Sequence, residues 1–119
     1  MTSRAPAGWP TVIPRIFVDD PKDLVGFIKT TFKAKGRFSA SHPTQLTIND
    51  SMLMISGSEF RGVITACLYI YVDNTDAVYK RALKAGARSL EEPQRMPYGD
   101  YRAMIEDAWG NIWQIATPQ

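Results

Sequence analysis

The stretch Ile16-Phe17-Val18-Asp19-Asp20 returns later in the chain as Ile70-Tyr71-Val72-Asp73-Asn74. Each copy is an alternating, β-branched run that ends in two short polar residues able to cap a helix. A helical pattern follows both times. In the first, Asp20 stands at the N-cap position, Pro21 at N1 and Asp23 near the positive helix end. Leu24, Phe27, Ile28, Thr31 and Phe32 then form a stripe of 3.6-residue period. In the second, Asn74 or Thr75 opens a helix whose face carries Val78, Tyr79, Ala82 and Leu83, and Gly86 stops it.

Working outward, short strands follow each helix. The first set is expected at Arg37–Ser41, Gln45–Asn49 and Met52–Ser56, the second at Arg88–Glu91, Tyr101–Glu106 and Ile112–Thr117. Asn49-Asp50 and Gly57-Ser58 supply turns in the first set; Pro93, Pro97-Tyr98-Gly99-Asp100 and Asp107–Asn111 break the second. Ile48-Asn49-Asp50 and Ile105-Glu106-Asp107 occupy matching places. The reading is α+β: two tandem βαβββ modules, 12–57 and 63–117, joined near Ser58–Gly62 within a single domain over 1–119.

Parity assigns the faces. In Val63–Val72, Leu68, Ile70 and Val72 point one way, and Cys67, Tyr69 and Tyr71 the other. The residues matching the second group in Val12–Val18 are Ile13, Arg15 and Phe17. The aliphatic face belongs under the helices; the mixed face is left to line a cavity or a partner surface. Met52 and Met54 share one face of their strand, as do Ile112, Gln114 and Ala116. Trp113 falls on the opposite, helix-covered side and reads as core.

Composition excludes more than it reveals. The 119 residues carry 14 Lys+Arg against 12 Asp+Glu, too balanced and too scattered for a nucleic-acid or membrane-surface protein. No apolar run approaches the ~18 residues of a membrane span, and no secretory signal is visible, so a cytoplasmic location is expected. The single cysteine, Cys67, excludes an intramolecular disulfide, and with one histidine, His42, a metal centre would depend on carboxylates.

Several residues carry the resemblance to a known family. Tyr69–Ala77, Ala82–Ala87, the loop Pro97–Arg102 and the ending Glu106–Ala116 resemble the second module of the vicinal-oxygen-chelate superfamily, the glyoxalase, bleomycin-resistance and extradiol-dioxygenase group. The resemblance spans about Val12 to Pro118 and is looser in the first half. It implies paired βαβββ modules whose sheets curl around a cavity, and a homodimer. It also implies four metal-ligand positions, on the first and last strand of each module, usually His or Glu. Here they fall on Ile13, Met54, Cys67 and Gln114. Alkyl and thioether groups do not suit a hard dication, so no metal and no other cofactor is expected.

The remaining candidates each have a plainer explanation. Cys67 lacks a base that would make it a nucleophile and reads as a cavity-lining thiol. His42 lies beside Pro43 in a loop and reads as solvated, as do Glu91-Glu92 at a strand edge. No phosphate-cradling Gly-rich loop and no Gly-x-Ser-x-Gly elbow is present. Arg15 is placed to orient a carboxylate or phosphate, or else to face solvent or pair with a carboxylate at the rim. Tyr98, Tyr101 and Trp109 are expected in loops at strand ends, where relatives close their ligand site, and each also suits a dimer contact. Arg102 reads as a brace for Asp100 or Asp107.

No pair of titratable residues is expected on the cavity-facing side, so no catalytic residue is assigned. The expected function is binding of a small aromatic or apolar compound by Arg15, Phe17, Met52, Met54, Cys67, Tyr69, Tyr71, Tyr98, Trp109 and Gln114. A metal-independent enzyme of the same fold is the alternative.

Overall fold

A computed structural model describes residues 5–119. The elements run β1 (Arg15–Val18), α1 (Pro21–Phe32), β2 (Thr44–Ile48), β3 (Ser51–Gly57), β4 (Cys67–Tyr71), α2 (Thr75–Lys84), β5 (Arg88–Arg95), β6 (Asp100–Glu106) and β7 (Ile112–Pro118). They divide into two compact units, one ending at Ile64 and the other comprising Thr65–Gln119. The first holds a three-stranded sheet in the order β1-β3-β2, the second a four-stranded sheet in the order β4-β7-β6-β5.

The repeat in the sequence is a repeat in pairing. In each unit the opening strand lies parallel to the closing one, with Ile16 opposite Ile55 and Ile70 opposite Ile115. The strand before the closing one runs antiparallel to it, β2 on β3 and β6 on β7. Helix starts differ in detail. Asn74 Oδ1 accepts from the Ala77 N–H and caps α2. Asp20 occupies the N-cap position of α1 without a side-chain capping bond, and Pro21 sets the first turn. Gly86, at φ +106°, ends α2 in the left-handed conformation expected of it.

Four strand expectations are corrected. Arg37–Ser41 is not a strand: its region contributes one bridge, Lys35 to Thr47, so the first unit has one strand fewer than the second. The cause is local. Gly36 has φ +144°, and a Cβ there would lie 2.3 Å from the Gln45 carbonyl oxygen, so the chain turns tightly against β2 and leaves it. Pro93, expected to break the sheet, lies inside β5, which is an edge strand with register shifts on either side of Glu91. The run Val63–Val72 is divided: Ile64 bridges to Phe17 in the first unit, and regular pairing starts only at Cys67. In the matching run Val12–Val18, regular strand starts only at Arg15, so Ile13 lies outside it, before Pro14, which has no N–H to give.

The cores follow the parity reading except on β4 and just after it, where Leu68, Ile70 and Val72, expected under a helix, are only half-buried because α2 packs on β5, β6 and β7. Ile16 and Val18 are buried with Leu24, Phe27, Ile28 and Phe32 of α1 and with Leu46, Leu53 and Ile55. In the second unit Ile105, Ile115, Ala103 and Trp113 are buried, Trp113 at 1% exposure. The stripe of α2 is narrower than expected, with Val78 and Ala82 buried and Tyr79 half-buried, its hydroxyl donating to Ser89.

The β6–β7 turn is organised by Asp107, buried at 4% exposure. Its Oδ1 accepts the N–H of Trp109 (3.0 Å) and of Asn111 (2.9 Å), and its Oδ2 accepts Trp113 Nε1 (2.9 Å) and Asn111 Nδ2 (3.0 Å). Asn111 Oδ1 then accepts the Ala66 N–H at 2.9 Å, just before β4. Asp107→Ala would leave several buried donors unpaired, at about 1–3 kcal/mol each. We expect a loss above about 3 kcal/mol in denaturant melts, with Asp107→Asn recovering only part of it.

Candidate functional site

The face opposite each helix carries the residues singled out from the sequence, in two groups. In the first unit the Arg15 guanidinium stands 4.8 Å above the Phe17 ring, and its Nε donates to Ser56 Oγ at 3.3 Å. These two residues line a cleft of about 260 Å³ together with Phe38, His42, Phe60 and Arg61. Met52 and Met54 share the same strand face but do not line the cleft; they lie opposite Thr47 and Gln45 of β2. Arg15 has no carboxylate partner among the described residues.

In the second unit Tyr69 and Tyr71 stand side by side on β4, with ring centroids 5.4 Å apart and planes inclined at 56°. Both hydroxyls donate to one oxygen, Asp100 Oδ2, at 2.6 and 3.0 Å. Tyr69 has one proton and gives it to Asp100, so at its 3.2 Å contact with the Tyr98 hydroxyl it accepts. Tyr98 in turn accepts from Arg102 NH1 at 3.3 Å, and Arg102 NH2 pairs with Glu91. The result is a directed chain from Arg102 through Tyr98 and Tyr69 to Asp100.

This cluster corrects two expectations. Arg102 braces neither Asp100 nor Asp107; it lies at 7% exposure and its ion-pair partner is Glu91, which is therefore no free edge carboxylate. Titratable residues do share the open side. Parity on the opening and closing strands does not reach Asp100 and Arg102, which come from β6. Its register sets Met104 opposite Gln114 and Arg102 opposite Ala116. Directly opposed residues share a face, so Asp100, Arg102, Met104 and Glu106 fall beside Gln114. The alternating pattern of Asp100–Glu106 held that signal, once β6 was set against β7.

Cys67 is exposed, and its Sγ lies 3.8 Å from Gln114 Oε1. Tyr98 joins the tyrosine cluster, while Trp109, half-buried in the β6–β7 turn, lies at the other end of β6, roughly 20 Å away along a strand of this length. His42 is exposed on its loop, with its backbone N–H bonded to Ser39.

Burial and the Asp100 and Tyr98 hydrogen bonds push the Tyr69 hydroxyl well above the ordinary phenol range. The Asp100 hydrogen bond, then desolvation, raises Tyr71, and the bond to Asp76 raises Tyr101. Burial alone would lower the ionisation of Arg102, but the Glu91 hydrogen bond and charge outweigh it.

The four positions that the resemblance assigns to a metal bear Ile13, Met54, Cys67 and Gln114. An alkyl chain, a thioether, a thiol and a neutral amide do not fit a hard dication. Among the described residues no group of three or more His, Cys, Asp or Glu is placed to hold a metal ion.

Fold and site together define an α+β protein of two tandem modules, each with a polar-aromatic open face. Residues 14–115 match the Glyoxalase/Bleomycin resistance protein/Dioxygenase superfamily, and the chain belongs to it. Uncharacterized protein Mb0911c of Mycobacterium bovis is 22% identical over 92% of this chain and 84% of its own length. Among solved structures, TioX from Micromonospora sp. ML1 superimposes with a TM-score of 0.77 at 17% identity, over 91% of this chain and 98% of that one. A glyoxalase/bleomycin resistance protein/dioxygenase family enzyme from Burkholderia phytofirmans PsJN does so with 0.77 at 19%, over 90% and 97%. At such identities the structures share the fold. No helix is long and apolar enough to cross a membrane among the described residues.

The hydroxyl network has a readable consequence. Tyr69, Tyr71 and Tyr101 keep their protons in the folded state above the ordinary value of 10.0. Their contribution to stability is present below pH 10 and is lost as pH rises from there through the folded-state values. Ring-labelled NMR should show Asp100→Ala returning Tyr71 toward an ordinary titration, while Tyr69, raised first by burial, stays high.

Proposed function

We propose that this chain is a metal-free binding protein that holds a small aromatic or apolar compound against the open face of its second sheet. The observation that carries the reading is the pair of tyrosine rings beside Gln114, half exposed and fixed by their hydroxyls on Asp100. Rings inclined at 56° do not form one flat platform. They suit a planar ligand that meets one ring face to face and the other edge-on. Gln114 offers a donor and an acceptor next to them for a polar edge of the ligand. Anchoring the tyrosines beforehand reduces the ordering cost of binding. In the first unit the cleft walled by Phe17, Phe38 and Phe60 with Arg15 is a second aromatic surface of the same character.

A second reading, a metal-independent enzyme, is favoured by the chain of hydroxyls ending on Asp100, since a carboxylate and a phenol on one open face are an acid–base pair in kind. Turnover of a bound compound that Asp100→Asn abolishes, with binding retained, would select it.

We propose also that the chain pairs into a two-fold homodimer. β4 is an edge strand of its sheet, and an unpaired strand edge is suited to cover by a two-fold related copy. Sedimentation at micromolar concentration is expected to give twice the 13.3 kDa chain mass.

The binding reading is tested by a screen of planar aromatic compounds using thermal shift and fluorescence. Tyr71→Ala should weaken binding roughly 5- to 100-fold while the fold persists. Trp113→Ala, on the helix side, should instead lower stability by about 3–5 kcal/mol. Chelator should change neither the melt nor the binding. If Tyr71→Ala unfolds the protein and Trp113→Ala does not, the site lies on the wrong face.

A further inference from the structure

The charges on the open face of the second sheet do not cancel. Arg102 is matched by Glu91, and Arg88 by Glu106. Asp100 is left, and the groups that approach it are phenols, which donate hydrogen bonds without bringing charge. Both phenols bind Oδ2, and Oδ1 has no side-chain partner among the described residues. The face therefore carries one uncompensated carboxylate with a free oxygen, set against two half-exposed aromatic rings.

The donors around it are already committed. The Tyr69 and Tyr71 protons go to Asp100, and the Tyr98 proton goes to Tyr69. Arg102 Nε has no partner, but it is buried with its residue, out of reach of a solute on the surface. Apart from the Gln114 and Gln94 amides, which are neutral, and the Cys67 thiol, what the face offers is acceptors and π-faces. An anion would meet a carboxylate with no free cation beside it. A cation would meet a carboxylate oxygen and two ring quadrupoles at once.

We propose that the compound bound on this face carries a cationic nitrogen, a protonated or methylated ammonium, held between Asp100 Oδ1 and the rings of Tyr69 and Tyr71. This rests on the reading of the face as an aromatic-ligand site and adds the charge of its ligand. With centroids 5.4 Å apart, one nitrogen can lie within the ~6 Å reach of a cation–π contact to both rings. An N–H on that nitrogen makes a charge-assisted hydrogen bond to Oδ1. Donation of both phenol protons to a carboxylate enriches the rings in electron density, which strengthens their attraction for a cation.

The test compares three probes that share a phenyl ring and differ in charge: 2-phenylethylammonium, 2-phenylethanol and 3-phenylpropanoate. Each is titrated into the full chain by calorimetry and by NMR of the tyrosine rings. The ammonium should bind about tenfold or more tighter than the alcohol, with the carboxylate weakest. Added salt should weaken the ammonium and leave the alcohol unchanged. Asp100→Asn, which keeps an acceptor for the tyrosines and removes the charge, should bring the ammonium to the affinity of the alcohol. The inference is overturned if ammonium and alcohol bind alike, if the carboxylate binds most tightly, or if Asp100→Asn keeps the preference. In those cases the aromatic-binding reading stands. If none of the three probes binds, that reading falls and the inference falls with it.

Discussion

The second sheet depends on one buried carboxylate. Asp107 ties together a turn, a core aromatic and, through Asn111, the backbone that leads into β4. Its position is enforced from several sides, because each of its donors is itself buried or half-buried and would be costly to leave unpaired. The parallel pairing of β4 on β7 begins immediately after Ala66, and Ile112 returns its own N–H to the Ala66 carbonyl. The orientation of Cys67, Tyr69 and Tyr71 toward the open face thus follows from a polar knot on the other side of the sheet. The exposed side chains of β4 are oriented by buried residues at the end of the strand.

The first unit shows what the same plan does without that knot. The segment matching Ile105-Glu106-Asp107 is Ile48-Asn49-Asp50, and there the hairpin closes in two residues, with Asn49 at φ +51° and Asp50 exposed. A two-residue turn needs a left-handed position that asparagine tolerates, and it leaves no interior for a carboxylate to organise. The second unit uses five residues and buries Asn111 within them. The two units share the pairing of their opening, penultimate and closing strands and differ in this turn and in the strand that the first unit lacks.

The sequence made much of this legible. Period-two alternation placed Ile16, Val18, Trp113 and Ile115 inward and Arg15, Phe17, Tyr69 and Tyr71 outward, because a strand's faces are fixed by parity alone. Helix signals worked for the same local reason. What stayed hidden needed partners. Asp100 meets Tyr69 across 31 residues of separation, and Arg102 meets Glu91 through a bulged edge whose register shift no local pattern reveals. Arg37–Ser41 reads as extended, but whether an extended segment joins a sheet is decided by Gly36 against the Gln45 carbonyl, a contact made in three dimensions. Phe38 and Phe60 lie in loops, where neither parity nor helical period assigns a direction.

The polar groups of the second face are spread unevenly along its strands. Cys67 and Gln114, on neighbouring strands, approach each other at 3.8 Å. Their side chains are neutral as a thiol and an amide and bring neither the negative charge nor the imidazole nitrogens that a hard dication requires. The polar centre lies instead further along β4, where Tyr69 and Tyr71 converge on Asp100. Beside a bound dication, the field of one carboxylate would be a minor term, answering the metal first. With uncharged groups at those positions, Asp100 sets the sign of the local field, and the open rings next to it respond to the same sign of ligand charge.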